Sequence, residues 1–594
     1  MFYRALTDEQ TLRVRRARPV MALAAVAFAI GVIVGANGGG SSSASLTGRF
    51  VAAWSHGDYA AMYAEIDDAS RHSLSADQFA SDYREAMRTA TATSVRATGK
   101  ARGAPGGLVE VPVRVHTRLF GTLSLSVRTR IVSGAEGVDA IAWSRSLTFP
   151  GMRAGETLSR RTTLPRRATL LARDGSVLAE GEATGAGPRN SPLGGSASAV
   201  VGEVGPIPSS RRAALEAEGV PADAVVGTSG LERALDSRLR GTPGGELLAG
   251  DARSGGLGRV LASAAPHAAR SLRTSVSPAV QRAAVEALGS QLGGIVALAP
   301  SGQILAVAGI GMNSVQPPGS TFKMVTLTGV LDAHVATPSS TFPYATYTTL
   351  DGVKLSNANG EECGGSLTLA FAVSCNSVFA PLGVKLGAPR LVAMAERFGF
   401  NHSPGIEGAA ESTLPAASSI RGELDVGSTA IGQGQVQASA LQMAIVAASI
   451  AEGGRRPRPS FTPERLALGE RVTSSAVAHT VRRLMIGVVR NGTGTSAAIP
   501  GVTVAGKTGT AELKTQCTHS SEAESSETSS HEGGASGCAA ASEASNTDAW
   551  FASFAPALHP RIVVGVLLVK DGAGGATAAP VARQVLEAGL RASR

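Results

Sequence analysis

Three short segments of the 594-residue chain hold residue types that can act together in nucleophilic catalysis. In QPPGSTFKM, Ser320 follows a Pro-Pro-Gly turn at the start of an expected helix, and Lys323 lies three residues on. Residues i and i+3 share a helix face, so the amine can reach the hydroxyl. A serine hydroxyl is a poor nucleophile until an adjacent base takes its proton, and a lysine desolvated beside another cation can be that base. The helix N-terminus favours negative charge developing at Ser320. Alone, an S-x-x-K is also what an exposed Ser and Lys at any helix start would show. Two further segments add weight. Ser374-Cys375-Asn376 follows a short helical stretch, and Lys507-Thr508-Gly509 sits in VTVAGKTGTAE, which alternates like a strand. Each segment occurs once, and coincidence explains their order poorly.

The elements that must position these residues follow from hydrophobic pattern. Pro278 to Leu288 reads as an amphipathic helix, GGIVALAP and GQILAVAG as two buried strands joined by a turn, and Ser320 to His334 as an apolar-rich helix. RIVVGVLLVKDG reads as a buried strand and Ala579 to Ala592 as a closing helix, so residues 276–594 are expected to form one α/β domain of catalytic size. Within it, 514–546 is rich in Ser, Glu, Ala and Gly and is expected to be a flexible surface insertion. Upstream, residues 46–155 open with an apparent helix (LTGRFVAAWSHGDYAAMY). Alternating strands follow, with Val109, Val111, Val113 and Val115 on one face: an α+β domain with a helix on a curved antiparallel sheet. Residues 156–275 are irregular, with short strands around ATLLARDGSVLAEG and a helical SSRRAALEAEG. They suggest a platform whose residues name no chemistry.

Pro19 to Ala36 carries no charge over 18 positions, close to the roughly 20 residues that a membrane-crossing helix needs. Arg13, Arg15, Arg16 and Arg18 precede it, which keeps residues 1–18 in the cytoplasm and the catalytic part outside. A cleaved signal peptide is the rival, with Val34 and Ala36 as small residues near a cleavage point. The apolar run exceeds a signal h-region and favours an uncleaved anchor over 19–36. Gly38 to Ser45 (GGGSSSAS) is expected to be a linker.

The four cysteines fall as two local pairs, Cys363 with Cys375 and Cys517 with Cys538. Two short-loop disulfides are expected in an exported portion, although four cysteines allow three connectivities and free thiols remain an alternative. Neither pair is a C-x-x-C and no H-E-x-x-H occurs, so no metal or other cofactor is expected. The net charge of +9 comes from 55 Lys+Arg against 46 Asp+Glu, and only 4% of residues are aromatic. That excludes a nucleic-acid surface built on base stacking.

The trio Ser320-Thr321-Phe322-Lys323, Ser374-Cys375-Asn376 and Lys507-Thr508-Gly509 resembles the signature of penicillin-binding proteins and active-site-serine β-lactamases. ATLLARDGSVLAEG, GTSGLERALDSRLRGTPGG, IGQGQVQASALQMAIVAASIAEGG and DAWFASFAP are similar to segments of class B penicillin-binding proteins. SLTFPGM is similar to the end of the cone-shaped, nuclear-transport-factor-like (NTF2-like) domain that some of them carry. The resemblance implies a multidomain α+β / α/β chain. It would comprise a membrane anchor helix, the cone-shaped domain, an irregular β-rich pedestal or dimerisation domain, and a C-terminal penicillin-binding transpeptidase fold with an antiparallel sheet flanked by helices. No stretch resembles a glycosyltransferase domain.

The activity so implied is that of a peptidoglycan D,D-transpeptidase. Ser320 would attack the penultimate carbonyl of a D-Ala-D-Ala stem peptide, and an amine of a neighbouring stem peptide would resolve the acyl-enzyme. By the same resemblance, Lys323 takes the serine proton, Ser374 passes a proton to the departing D-Ala, and Asn376 bonds the substrate amide. Lys507, Thr508 and Thr510, flanking Gly509, hold the terminal carboxylate, and the amides of Ser320 and Thr510 form the oxyanion hole. β-Lactams are implied as acylating ligands, and a membrane glycan polymerase with divisome or elongation proteins as partners. Two rivals share the motifs: a D,D-carboxypeptidase or β-lactamase, in which water resolves the acyl-enzyme, and a β-lactam-binding sensor or non-catalytic divisome scaffold. The long stretch between anchor and catalytic domain argues against a secreted hydrolase, and the short cytoplasmic segment against a sensor.

Overall fold

The computed structural model describes residues 42–133, 138–251, 258–464, 467, 469–512 and 546–593. The expected cytoplasmic stretch 1–18, the expected anchor 19–36, and residues 514–545 of the expected insertion with Cys517 and Cys538 lie outside the described residues. The chain divides into two compact units. One takes in the chain up to Thr163 with Arg212–Pro221 and Pro243–Pro266; the other takes in Leu164–Arg211, Ala222–Thr242 and His267 onward. The stretch 156–275 is thus shared between the two.

The first unit begins with four helices, α1 (Ser42–Ser55), α2 (Tyr59–Ala64), α3 (Asp68–Ser73) and α4 (Ala76–Thr89). Two expectations need correction here. The linker expected up to Ser45 is already helical from Ser42, because Leu46, Phe50 and Trp54 form a buried stripe at i, i+4 and i+8 that carries the helix back into the serines. The single helix expected across LTGRFVAAWSHGDYAAMY breaks at His56-Gly57-Asp58. Gly57 takes φ +71°, and the Asp58 carboxylate accepts from Ala61 N at 2.9 Å to cap α2.

The strands are β1 (Ala92–Ala97), β2 (Arg102–Ala104), β3 (Leu108–Thr117), β4 (Thr122–Ser133) and β5 (Asp139–Ala142). They form an antiparallel sheet in the order β1-β3-β4-β5, with β2 also on β3. Val95, Val111, Val113, Val115 and Val127 bury one face in a core with Phe50, Phe79 and Tyr83, and Val109 is buried on the same face. A second sheet pairs β6 (Glu156–Thr163) with β7 (Gly244–Asp251), which also pairs with β8 (Arg259–Ala264). Strand β6 is far in sequence from its partner β7, which is why the region looks irregular when read linearly.

The second unit is built on a five-stranded antiparallel sheet of β9 (Gly293–Leu298), β10 (Ile304–Gly309), β15 (Ala505–Glu512), β16 (Thr547–Ala555) and β17 (Ile562–Leu568), in the order β10-β9-β17-β16-β15. Between β10 and β15 come the short strands β11 (Thr341–Ala345), β12 (Tyr347–Leu350), β13 (Val353–Ser356) and β14 (Cys363–Ser366). The main sheet packs against α5 (Pro278–Leu288) and α11 (Ala578–Ala592), and also against the almost wholly buried α9 (Ala440–Ala451). Covered on both faces, β9 and β17 are buried throughout and read as unbroken apolar runs. Strand β15, carrying Lys507-Thr508-Gly509, ends the named sheet order.

The segment GTSGLERALDSRLRGTPGG contributes buried charge. Glu232 and Asp236 lie one helical turn apart; Glu232 accepts from Arg167 Nε and Arg189 Nε, both at 2.7 Å. Asp236 accepts from Arg167 (2.9 Å), Arg211 (2.9 Å), Arg240 (2.7 Å) and the Gly227 amide (2.8 Å). Burial alone would raise the Asp236 carboxyl, but the Gly227 amide and the arginines hold it below the ordinary carboxylate value. These acids are structural: they are satisfied by fixed donors within the fold.

Candidate active site

Ser320 sits in a 3₁₀ turn, Gly319–Phe322, that runs directly into α6 (Lys323–Asp332). The Lys323 amide donates to Ser320 O. In a 3₁₀ turn, residues i and i+3 eclipse, which sets Ser320 and Lys323 on one side of the turn. The helix expected over Ser320–His334 is therefore a 3₁₀ turn followed by an α-helix that stops at Asp332, with His334 at φ +54°.

The turn is held by backbone approach. Gly319, at φ +51°, donates to Gly432 O at 2.9 Å. A Cβ on Gly319 would fall 2.8 Å from Thr510 O, and one on Gly509 would fall 2.7 Å from Pro318 O. Only glycine at both positions lets strand β15 lie this close to the nucleophile turn.

The second motif caps a local fold. Helix α7 (Leu367–Ala372) is N-capped by Ser366 and followed by Ser374 at φ +64°, an uncommon conformation for a non-glycine residue. Cys375 N donates to Ala370 O at 2.8 Å, and α8 (Asn376–Leu386) begins at once. The turn is pinned by a disulfide between Cys363 and Cys375, whose Cα atoms lie 5.8 Å apart. Buried Asn357 braces it as well: its amide donates to Ala345 O (2.8 Å) and Glu361 O (2.9 Å), and its Oδ1 accepts from Ser377 N (2.8 Å).

The three motifs meet at two amines with no exposed surface. Lys323 Nζ donates to Ser374 O and Asn376 Oδ1, both at 2.6 Å, with Ser374 Oγ at 3.4 Å. Asn376 Nδ2 donates to Ser356 O at 2.9 Å, which turns Oδ1 toward the lysine. Lys507 Nζ donates to Ser374 Oγ at 2.8 Å and to Thr508 O at 3.0 Å. The Ser374 hydroxyl thus stands between two lysines. Phe379 and Phe371 present rings 5.6 Å from Lys323 Nζ and Lys507 Nζ respectively. Burial, and then the nearby Lys507 charge, holds the Lys323 amine well below the ordinary lysine value, while burial lowers Lys507 to about 7.

A neutral Lys323 has two N–H groups and one lone pair. The two 2.6 Å bonds use both N–H groups, leaving the lone pair to accept a proton. Lys323, Ser374, Asn376 and Lys507 are therefore brought together by two turns and one strand, and Ser320 lies in the turn that leads into Lys323. Thr510 is half-buried and accepts from Gly574 N at 3.3 Å. Thr508 is buried, and its hydroxyl lies 2.6 Å from that of Thr493.

Thr493 and Asn357 are residues that motif reading missed. Thr493 follows α10 (Ser475–Asn491) in a Gly-Thr-Gly turn, and its amide donates to Ala372 O at 3.1 Å. It thereby ties strand β15 to the helix that leads into the second motif. The flanking Gly492 and Gly494 were the only sequence signal. Thr493→Val is expected to lower penicillin acylation about tenfold by freeing the Thr508 hydroxyl, since an unmade buried hydrogen bond costs about 1–3 kcal/mol. Thr493→Ser should restore the rate; equal rates for the Val and wild-type proteins would remove Thr493 from the site.

Three family models match this chain in sequence order. They are the NTF2-like N-terminal transpeptidase domain over residues 43–156, the penicillin-binding protein dimerisation domain over 183–268, and the penicillin-binding protein transpeptidase domain over 293–587. The peptidoglycan D,D-transpeptidase PbpA of Mycobacterium tuberculosis is 35% identical over 303 residues, which cover 46% of this chain and 55% of the relative. The match thus spans little more than half of that relative's length. PbpA of Mycolicibacterium smegmatis is 32% identical over 437 residues, covering 61% of this chain and 80% of the relative. The structure of penicillin-binding protein A from M. tuberculosis as a ceftriaxone acyl-enzyme complex matches with TM-score 0.54 and 27% identity, covering 72% of this chain and 98% of that one. With these domains in this order, and with the nucleophile turn, the hydroxyl between two lysines and the glycine-paired strand all present, the chain belongs to the class B penicillin-binding proteins.

Proposed function

We propose that this chain is a membrane-anchored peptidoglycan D,D-transpeptidase that acts through an acyl-enzyme on Ser320 and is acylated there by β-lactams. The observation that carries the reading is the Lys323 amine, buried, with both N–H directions taken by Ser374 O and Asn376 Oδ1. An amine so held is a base poised for the neighbouring hydroxyl. The names of the M. tuberculosis and M. smegmatis relatives support the activity, and the acyl-enzyme complex of the M. tuberculosis protein supports the β-lactam reading. The uncharged stretch 19–36 behind four arginines supports the anchor and an extracytoplasmic catalytic domain.

In this account, Lys323 takes the Ser320 proton as Oγ bonds to the penultimate D-Ala carbonyl carbon. The amides of Ser320 and Thr510 receive the oxyanion. The bond to the terminal D-Ala then breaks, and its nitrogen takes a proton through Ser374, whose hydroxyl both lysines approach. Lys507 in its charged form holds the terminal carboxylate, with Thr508 and Thr510 beside it. An amine of a second stem peptide next attacks the acyl carbon, gives up its proton along the same path, and regenerates Ser320. A glycan polymerase of the same membrane is the proposed partner, supplying uncrosslinked strands.

Full-length protein supplied with a D-Ala-D-Ala donor and an amine acceptor should form one crosslink for each D-Ala released. D-Ala release with water as the sole acceptor would instead establish the hydrolase reading.

A further inference from the structure

The sheet of the first unit has a face that its own core does not use. Val109, Val111, Val113 and Val115 point inward, so Glu110, Pro112, Arg114 and His116 point outward along β3. Register places Arg96 of β1 opposite Arg114, Arg102 of β2 opposite Glu110, and Arg128 of β4 on the other side of Glu110. Arg130 and Ser124 continue the outward row of β4. Arg96, Arg102, Arg114, Arg128 and Arg130 are all exposed, and Glu110 is the one carboxylate among the paired residues described on this face. It bonds Arg128 at 3.3 Å.

Arg96 directly opposite Arg114 is an arrangement that weakens a sheet, because like charges on paired residues repel. A fold gains nothing from it alone. Five guanidinium groups with serines and threonines between them, and no exposed large apolar side chain among the paired residues described on this face, fit phosphate headgroups met from the side. The tether also bears on this. The described chain starts at Ser42, six residues after the last position of the uncharged stretch, a reach of at most about 20 Å. Ser43 Oγ bonds Asp139 Oδ2 at the start of β5, so the chain enters this unit beside an end strand of the same sheet.

We propose that the outward face of the β1–β4 sheet docks on the anionic phospholipid surface of the membrane in which the chain is anchored. The inference rests on the anchor at 19–36. Docking holds the first unit flat on the bilayer through salt-sensitive guanidinium-phosphate contacts, without insertion.

The test uses the full chain in nanodiscs, with Cys517→Ser and Cys538→Ser and one fluorophore at Ser124→Cys on the face, or at Ser81→Cys on α4 as a control. The lipids are phosphatidylcholine with or without phosphatidylglycerol, and the quencher is carried on the headgroup. Quenching at 124 but not at 81 is expected only with phosphatidylglycerol. It should vanish at about 1 M salt, where the Debye length is about 3 Å, and in Arg96→Glu/Arg114→Glu. The milder Arg96→Ala/Arg114→Ala should show partial loss, with penicillin labelling in detergent unchanged as proof of folding. Equal quenching in both lipids, or quenching that survives charge reversal, would overturn the proposal. So would a response to soluble poly(glycerol phosphate) in neutral discs equal to that with anionic lipid, which would assign the face to a polymer. A chain that fails to enter neutral discs at all would refute the anchor instead.

Discussion

Ser320→Ala abolishes covalent labelling by a fluorescent penicillin and lowers crosslink formation by about ten-thousandfold or more, as removal of a nucleophile that forms a covalent intermediate does. The residue is half-buried in a turn held by Gly319, Gly432 and the Lys323 amide. The variant should therefore melt within about 0.5 kcal/mol of the wild type, so the loss reports chemistry and not folding. Labelling by penicillin that persists in Ser320→Ala would place the nucleophile elsewhere.

Lys323→Met has the second largest effect. Removing the base should slow acylation about a hundredfold to ten-thousandfold, the range general-base catalysis supplies. The wild-type pH profile carries the same signature. Lys323 is held well below the ordinary lysine value by burial and by Lys507, which favours its free-base form. Acylation should fall in acid as that amine gains its proton, and Lys323→Met should lose this limb. Lys507, lowered to about 7, is charged below that pH, and its charge disfavours protonation of Lys323. Above about 7 it loses the charge that holds the substrate carboxylate, so binding weakens on the alkaline side.

Stability follows the opposite trend. An unfolded lysine stays protonated up to about 10.4, whereas folded Lys507 releases its proton near 7. The unfolded chain therefore binds more protons between those values. The Lys507 contribution to stability rises with pH across that window and is lost as pH falls back to about 7. Denaturant unfolding of wild type against Lys507→Met at neutral and alkaline pH reads this difference directly.

The candidate site was legible because its pieces are local. An S-x-x-K needs only one helical turn, and Lys507 lies on a strand whose apolar neighbours announce burial. Strands β9 and β17 and helices α5 and α11 were legible for the same reason, as long apolar or periodic runs. What stayed hidden depends on pairing across distance. Thr493 meets Thr508 through a turn and a sheet edge, and Asn357 meets Ser377 from a separate hairpin, with no periodicity to mark either. Glu232 and Asp236 carry no mark of burial in their own segment; Arg167, Arg189 and Arg211 from other segments close around them with Arg240. The break at Gly57-Asp58 was written in the sequence as a turn residue followed by a cap, but the apolar positions on either side suggested one continuous helix.

The central claim is a covalent serine in the 3₁₀ turn, resolved slowly without an acceptor. Intact-protein and peptide mass spectrometry after incubation with benzylpenicillin tests it most directly. The account predicts a mass gain of one whole penicillin, carried on the peptide containing Ser320 and persisting for hours. An adduct on any other residue, or none on the folded full-length protein, would contradict it.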